Sequence, residues 1–252
     1  MHSHATEQTK IFIPSRQMVT KNHIETVFFD AVGTLIFPAE TVGRTYSRFA
    51  AGYGIDIGEE ETGAEFRRQL ASRPPPIYPG GAGSEDLDRA WWENLVFSVI
   101  SSAHAAPIPG LEFAPLLSEI FDYYATAGAW RVYPEAPRVL QDLKNASLRL
   151  AIVSNFDARL RPVLSARDLD RFFSAIVISS EVGALKPSPR IFSRALAATG
   201  TRAGQALHVG DCPKADGEGA RASGIEPFIV TRPETDLTGL LDHPRLPRAS
   251  NF

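Results

Sequence analysis

A chain of 252 residues, 44% hydrophobic and 22% charged, has room for one large soluble domain or for a core carrying a smaller insertion. Its formal net charge of −3 argues against a dedicated nucleic-acid surface. Its single cysteine, Cys212, excludes an internal disulfide and a cysteine-rich metal site and fits a reducing, cytoplasmic setting, and no apolar run approaches the ~20 residues that span a bilayer.

Residues 1–21 read as a flexible polar tail. Their one apolar patch, Ile11-Phe12-Ile13, is interrupted by Pro14 and falls short of the roughly 7–15 residues of a secretory signal. An apolar run at 26–29 then ends in Asp30, with Gly33-Thr34-Leu35 close behind, which reads as a buried strand with a carboxylate at its tip. From 37 to 130 the periodicity is helical, with candidate helices at 41–54, 59–72, 86–104 and 113–127 and no convincing strand. A breaker-rich loop, Arg73-Pro74-Pro75-Pro76-Ile77-Tyr78-Pro79-Gly80-Gly81-Ala82-Gly83, divides them.

Beyond this segment apolar runs and helical patterns alternate. Helices are expected at 135–146, 157–166 and 188–199, and further strands at 148–153, 175–178, 206–209 and 227–230. The alternation predicts a doubly wound, parallel-sheet α/β core of Rossmann-like type, 22–36 and 131–252, carrying an all-helical insertion at 37–130. The stretch 231–252 is expected to pack loosely.

Ligands of open α/β sheets bind beyond the carboxyl ends of the strands, so the residues at the end of each apolar run matter most. Asp30 ends the first run, Ser154-Asn155-Phe156-Asp157 the second, Ser179-Ser180-Glu181 and then Lys186-Pro187 the third, and Gly210-Asp211 with Asp216 the fourth. An acidic nucleophile, further carboxylates suited to Mg²⁺, and a lysine with hydroxyl and amide donors form a set for phosphoryl transfer. Each residue alone has a plainer reading. Asp157 reads as a helix cap, Ser179, Ser180 and Glu181 as loop, His208 as a packed core residue, Cys212 as an incidental small side chain, and Trp91 and Trp92 as helix packing. Neither a G-x-x-x-x-G-K-[ST] loop nor a G-x-S-x-G elbow is present. Gly217-Glu218-Gly219-Ala220-Arg221-Ala222 fits a dinucleotide pattern only loosely and reads as a helix packed closely on the sheet.

Four motifs in order carry a resemblance: Asp30-x-x-Gly33-Thr34-Leu35, Ser154-Asn155, Lys186-Pro187-x-Pro189-Arg190-Ile191-Phe192, and Gly210-Asp211-x-x-x-x-Asp216-x-x-Gly219-Ala220. The chain resembles the haloacid dehalogenase-like (HAD) hydrolase superfamily, with 37–130 looking like its helical cap and Asp30-Ala31-Val32 with Trp91-Trp92 similar to a REG-2-like branch. The resemblance implies that Asp30 attacks phosphorus to form an aspartyl-phosphate. It implies Mg²⁺ held by Asp30, the Val32 carbonyl and Asp211, with Asp216 direct or through water. Thr34, Ser154, Asn155 and Lys186 would form the phosphate-binding set, with Lys186 also offsetting the carboxylates and Thr34 helping to orient the first loop. The implied partner is a small phosphorylated substrate, with no nucleic acid or membrane; the oligomeric state is left open.

One position departs from the pattern. Phosphatase members carry a carboxylate two residues after the nucleophile, which protonates the leaving alcohol and then activates water; here Val32 stands there and does neither. This leaves two alternatives. Haloacid dehalogenases also lack that carboxylate, although two acidic residues aimed at the site would disfavour an anionic haloacid, and Arg44 could serve either substrate or remain a surface residue. A non-catalytic binding or regulatory protein is the other.

Overall fold

The computed structural model describes residues 23–104 and 113–247; the tail 1–21 lies outside them. Five strands form one parallel sheet: β1 (Thr26–Phe29), β4 (Arg149–Ser154), β5 (Ala175–Ile178), β6 (Ala206–Gly210) and β7 (Glu226–Ile229), in the order β5-β4-β1-β6-β7. Every pair in it is parallel. All four residues of β1 are buried, because both faces of a parallel sheet are covered; that is why the run lacks polar alternation.

Two apolar clusters flank this sheet. On one face Leu150, Ile152 and Leu207 pack against α5 (Ala136–Asn145) and α6 (Leu160–Ala166). On the other, Phe28, Ala151 and Val153 pack against α8 (Pro189–Thr199) and the short α9 (Gly219–Ala222). In α5 the apolar Ala136, Val139, Leu140 and Leu143 recur at helical spacing, and all four are buried. This is the α/β architecture the alternation predicts.

Two expectations need correction. A second, two-stranded sheet pairs β2 (Ile36–Pro38) antiparallel with β3 (Trp130–Val132), bringing Pro38 opposite Trp130 where no strand was expected. Three-residue strands are too short to show a period, and their pairing joins residues far apart in sequence. The stretch after β7 is also not loose. Leu237 and Leu240 are fully buried and Leu246 nearly so, all in the cluster that includes α5. Burying a leucine is worth about 1.5–3 kcal/mol, enough to hold a segment that has little regular structure.

Between β2 and β3 run α1 (Val42–Ala51), α2 (Glu59–Ser72), α3 (Glu85–Ala103) and α4 (Phe113–Tyr123). Thr41 caps α1, its hydroxyl accepting from the Arg44 amide at 3.2 Å, and Ser84 caps α3 through the Leu87 amide at 3.3 Å. These helices share a cluster of their own, with Tyr46, Leu95, Val99, Phe113, Leu116 and Ile120 buried together. Among the described residues no helix is long and apolar enough to cross a membrane.

Candidate active site

The sheet order puts β1 between β4 and β6, with Phe29 in register with Ile152 and Val209. Asp30, Ser154 and Asp211 therefore leave the sheet side by side, and the Asp30 amide still donates to Val209 O at 2.8 Å. Oxygens of Asp30, Asp211 and Asp216 lie within 4.8 Å of one another.

Lys186 reaches into this cluster from the loop after α7 (Ser179–Val182). Its Nζ lies 2.7 Å from Asp30 Oδ1 and 2.7 Å from Asp216 Oδ1, and the residue is only 5% exposed. Burial alone would lower its pKa, but the charges of Asp30 and Asp216 outweigh that and raise it, so the ammonium stays charged. Both oxygens of Asp216 accept from the protein. Its Oδ1 also meets His208 Nε2 at 2.8 Å, and its Oδ2 accepts from the Cys212 amide at 3.0 Å. Burial would raise its pKa, yet the His208 hydrogen bond and the Lys186 charge hold it well below the usual carboxylate range. Burial lowers the pKa of His208, so the imidazole is neutral and acts as a hydrogen-bond partner. His208 is thus more than packing: it fixes a carboxylate.

Asp211 contrasts with Asp216. Surrounding protein together with the negative charges of Asp30 and Asp216 push its pKa up to about 6. Three carboxylates against one lysine leave negative charge uncompensated, and the crowd of hard oxygen donors is what a divalent cation such as Mg²⁺ relieves. Two glycines permit the crowding. A Cβ on Gly33 (φ +84°) would fall 2.2 Å from Asp211 Oδ2, and one on Gly210 would fall 2.1 Å from Asp216 Cγ.

The other expected residues divide. Asn155 does not present its amide to a ligand: Oδ1 accepts from the Lys186 amide at 2.6 Å and Nδ2 donates to Lys186 O at 3.0 Å. It clamps the lysine's backbone instead. Thr34 is fully buried and its hydroxyl has no partner, so contact of that hydroxyl with phosphate is not available to it. Ser154 is buried at the tip of β4. Asp157 accepts from the Arg159 amide at 3.1 Å as a turn residue would, but it also grips the Arg159 guanidinium at 2.8 and 2.7 Å. Arg44 lies 3.9 Å from Glu40 with its side chain 61% exposed, a surface residue. Cys212 Sγ accepts from the Ala215 amide at 3.4 Å, a local cap.

Two arginines were missed. Arg232, just past β7, donates to the carbonyls of Gly33 at 2.9 Å and Thr34 at 3.2 Å, to Glu135 at 2.5 Å, and lies 3.5 Å from the Tyr133 ring centre. It braces the loop that comes after Asp30. The strand-tip rule, extended to the fifth strand, would have found it. Arg159 donates to Phe121 O of α4 at 3.1 Å and covers the Phe121 ring at 3.6 Å, joining the sheet to the helices; a lone arginine in sequence carries no sign of that.

Above this rim lies a cavity of about 260 Å³ between the helices and the sheet, whose walls include Val32, Trp92, Phe121, Trp130, Asn155 and Phe156. Trp92 therefore lines a space as well as packing edge-on against Trp91 at 5.0 Å.

The haloacid dehalogenase-like hydrolase family model matches residues 24–224. The chain is 28% identical to haloacid dehalogenase-like hydrolase domain-containing protein 3 of Bos taurus, over 86% of each chain. It is 26% identical to the rhythmically expressed gene 2 protein of Drosophila melanogaster, over 81% of this chain and 82% of that one. It is 36% identical to a phosphoserine phosphatase of Thermus thermophilus, over 66% of this chain and 73% of that one. A solved structure described as a predicted phosphoglycolate phosphatase, from Haemophilus somnus 129pt, superimposes with a TM-score of 0.65 at 18% identity, covering 88% and 98% of the two chains, a likeness of fold.

Proposed function

The chain belongs to the haloacid dehalogenase-like hydrolases, and from that membership we propose that it is a Mg²⁺-dependent phosphatase that dephosphorylates a small phosphorylated metabolite through a phospho-Asp30 intermediate. The observation that carries this reading is Lys186, buried and charged, bridging Asp30 and Asp216 beside Asp211. The similarity to a phosphoserine phosphatase supports the same chemistry.

In this reading Asp30 attacks phosphorus with one carboxylate oxygen, and the ester oxygen leaves with the bonding pair. Ser154 and Lys186 hold the phosphoryl oxygens, and Asn155 fixes the Lys186 backbone. Water then hydrolyses the acyl phosphate and restores Asp30. A bound Mg²⁺, held by Asp30, the Val32 carbonyl and Asp211, would neutralise charge as phosphate approaches the carboxylates. Asp216, which also accepts from Lys186, His208 and the Cys212 amide, would hold it directly or through water. We read α1–α4 as the cap that covers this site.

Val32 favours a second reading, dehalogenation, which needs no acid at that position. Against it, among the described residues Arg159 is the only cation in the cavity wall and is committed to Asp157 at 2.7 Å, leaving nothing there for a haloacid carboxylate. The test is phosphate release from phenyl phosphate with Mg²⁺ and with chelator, alongside Asp30→Asn. Metal-dependent release lost in the variant is expected. Chloride release from 2-chloropropionate in chelator, with no phosphate release, would replace the proposal.

A further inference from the structure

The position that lacks its carboxylate is also part of a cavity wall. Val32 lines the 260 Å³ chamber together with Asn155 and Phe156, so the chamber and the acidic cluster share the loops after β1 and β4. The rest of the wall is largely aromatic and aliphatic, with Tyr46, Trp92, Phe121 and Trp130 among its residues. Its two charged side chains are already partnered: Arg159 with Asp157 at 2.7 Å and Glu93 with Arg89 at 2.8 Å. A polar leaving group such as a sugar or an amino acid would lose its water here and find few partners in return, a loss of about 1–3 kcal/mol per unmatched group. An aromatic ring fits. A cavity of about 150 Å³ suffices for benzene, so this one holds a substituted or fused ring against aromatic walls.

The chemistry of the missing acid selects the same class. Without a proton donor at position 32 the departing oxygen must leave as an anion. A phenol with pKa about 10 does so far more readily than an aliphatic alcohol, whose pKa is near that of water at about 15.7. We propose that the chamber receives the leaving group of the substrate, and that the substrate is a phosphate monoester of an apolar phenol. The proposal rests on the phosphatase reading above. Attack by Asp30 forms the Oδ–P bond and breaks the P–O(aryl) bond; the pair departs on the phenolate, which takes its proton from solvent. Water then attacks the acyl phosphate, releasing inorganic phosphate and regenerating the carboxylate.

The experiment measures kcat/KM with Mg²⁺ for 1-naphthyl phosphate, acetyl phosphate and glycerol 3-phosphate, with Asp30→Asn as the blank. Acetyl phosphate has a good leaving group without an apolar ring. The same comparison is run on Leu117→Phe and Val42→Phe, which fill the chamber from α4 and α1, each checked for a folded melting transition. The expected result is a preference for 1-naphthyl over acetyl phosphate of about tenfold or more, cut by about tenfold in the filled variants. Quenching of tryptophan fluorescence by 1-naphthol, read from Trp92 and Trp130, should weaken in parallel. Asp30-dependent turnover with no naphthyl preference, or a preference unmoved in folded filled variants, overturns the chamber proposal and leaves the phosphatase reading standing. No Asp30-dependent turnover of any ester overturns both.

Discussion

At the residue scale the proposed chemistry turns on one side chain. Val32 faces an apolar chamber, so a carboxyl at that position would be desolvated and its pKa raised, which is the state a general acid needs. Val32→Asp should therefore increase turnover of alkyl phosphates, by up to about the 10²–10⁴ that positioned acids supply, while lowering the melting temperature, because Val32 packs against the main core. Assays on glycerol 3-phosphate read the first effect and thermal unfolding the second. An unchanged rate on the alkyl ester would mean another group already protonates it. Asp30, Asp211 and Asp216 were legible in the sequence because each comes just after a strand or in the first turn beyond it, and strand position fixes where a side chain emerges. The commitments of Asn155 and Asp216 were not. A sequence shows that an amide or a carboxylate is present, but not which donors have already claimed its oxygens.

At the scale of elements, the five parallel strands could be read from their apolar runs, and α2 spans 59–72 as its pattern required. The β2–β3 ribbon could not, since its only signal is the meeting of two three-residue segments across the whole helical insertion. Arg232 shows a related limit: its place past the tip of β7 is legible, but the target of its side chain is not. Its donors are aimed at the Gly33 and Thr34 carbonyls from the far end of the chain, a contact with no local trace. That brace holds the loop bearing Asp30 and Val32. Arg232→Ala should weaken the response to Mg²⁺ by roughly 10–100-fold, as loss of an outer support to a metal site does, and cost roughly 2 kcal/mol of stability through its lost charged hydrogen bonds. Arg232→Lys should recover little, since a single ammonium nitrogen does not reproduce the two positions from which Nη1 and Nη2 meet these acceptors, nor the flat contact with the Tyr133 ring. Mg²⁺ titration of activity together with denaturant unfolding checks this; a wild-type Mg²⁺ response in Arg232→Ala would show that the loop stands without its brace.

At the scale of the molecule, the helical segment carries a buried acidic group of its own. Asp88 of α3 is 4% exposed, accepts from the Tyr78 hydroxyl at 2.8 Å, and leaves Oδ2 without a partner. Burial, with the charges of Asp157 and Glu85, pushes its pKa up to about 6 against the pull of Tyr78 and Arg159. An unfolded aspartate titrates near 3.9, so the folded protein holds this proton between about pH 4 and 6. The associated stability is full below pH 4 and is lost as the pH rises through 6. Asp88→Asn keeps an acceptor for Tyr78 and carries no charge. Its melting temperature relative to wild type should therefore improve from pH 5 to pH 7.5; a constant offset would refute the assignment.

The strand order carries one more consequence, for how the chain comes together. β1 is synthesised early and sits in the middle of the sheet, yet its partners begin at Arg149 and Ala206. During translation the aspartate-bearing segment has no neighbours to pair with, while α1 and α2 can already pack on each other through contacts local in sequence. The helical segment can consolidate first, and the sheet closes around β1 only once β6 has emerged. The acidic cluster, drawn from Asp30 at one extreme and Asp216 at the other, is accordingly among the last features of the molecule to exist.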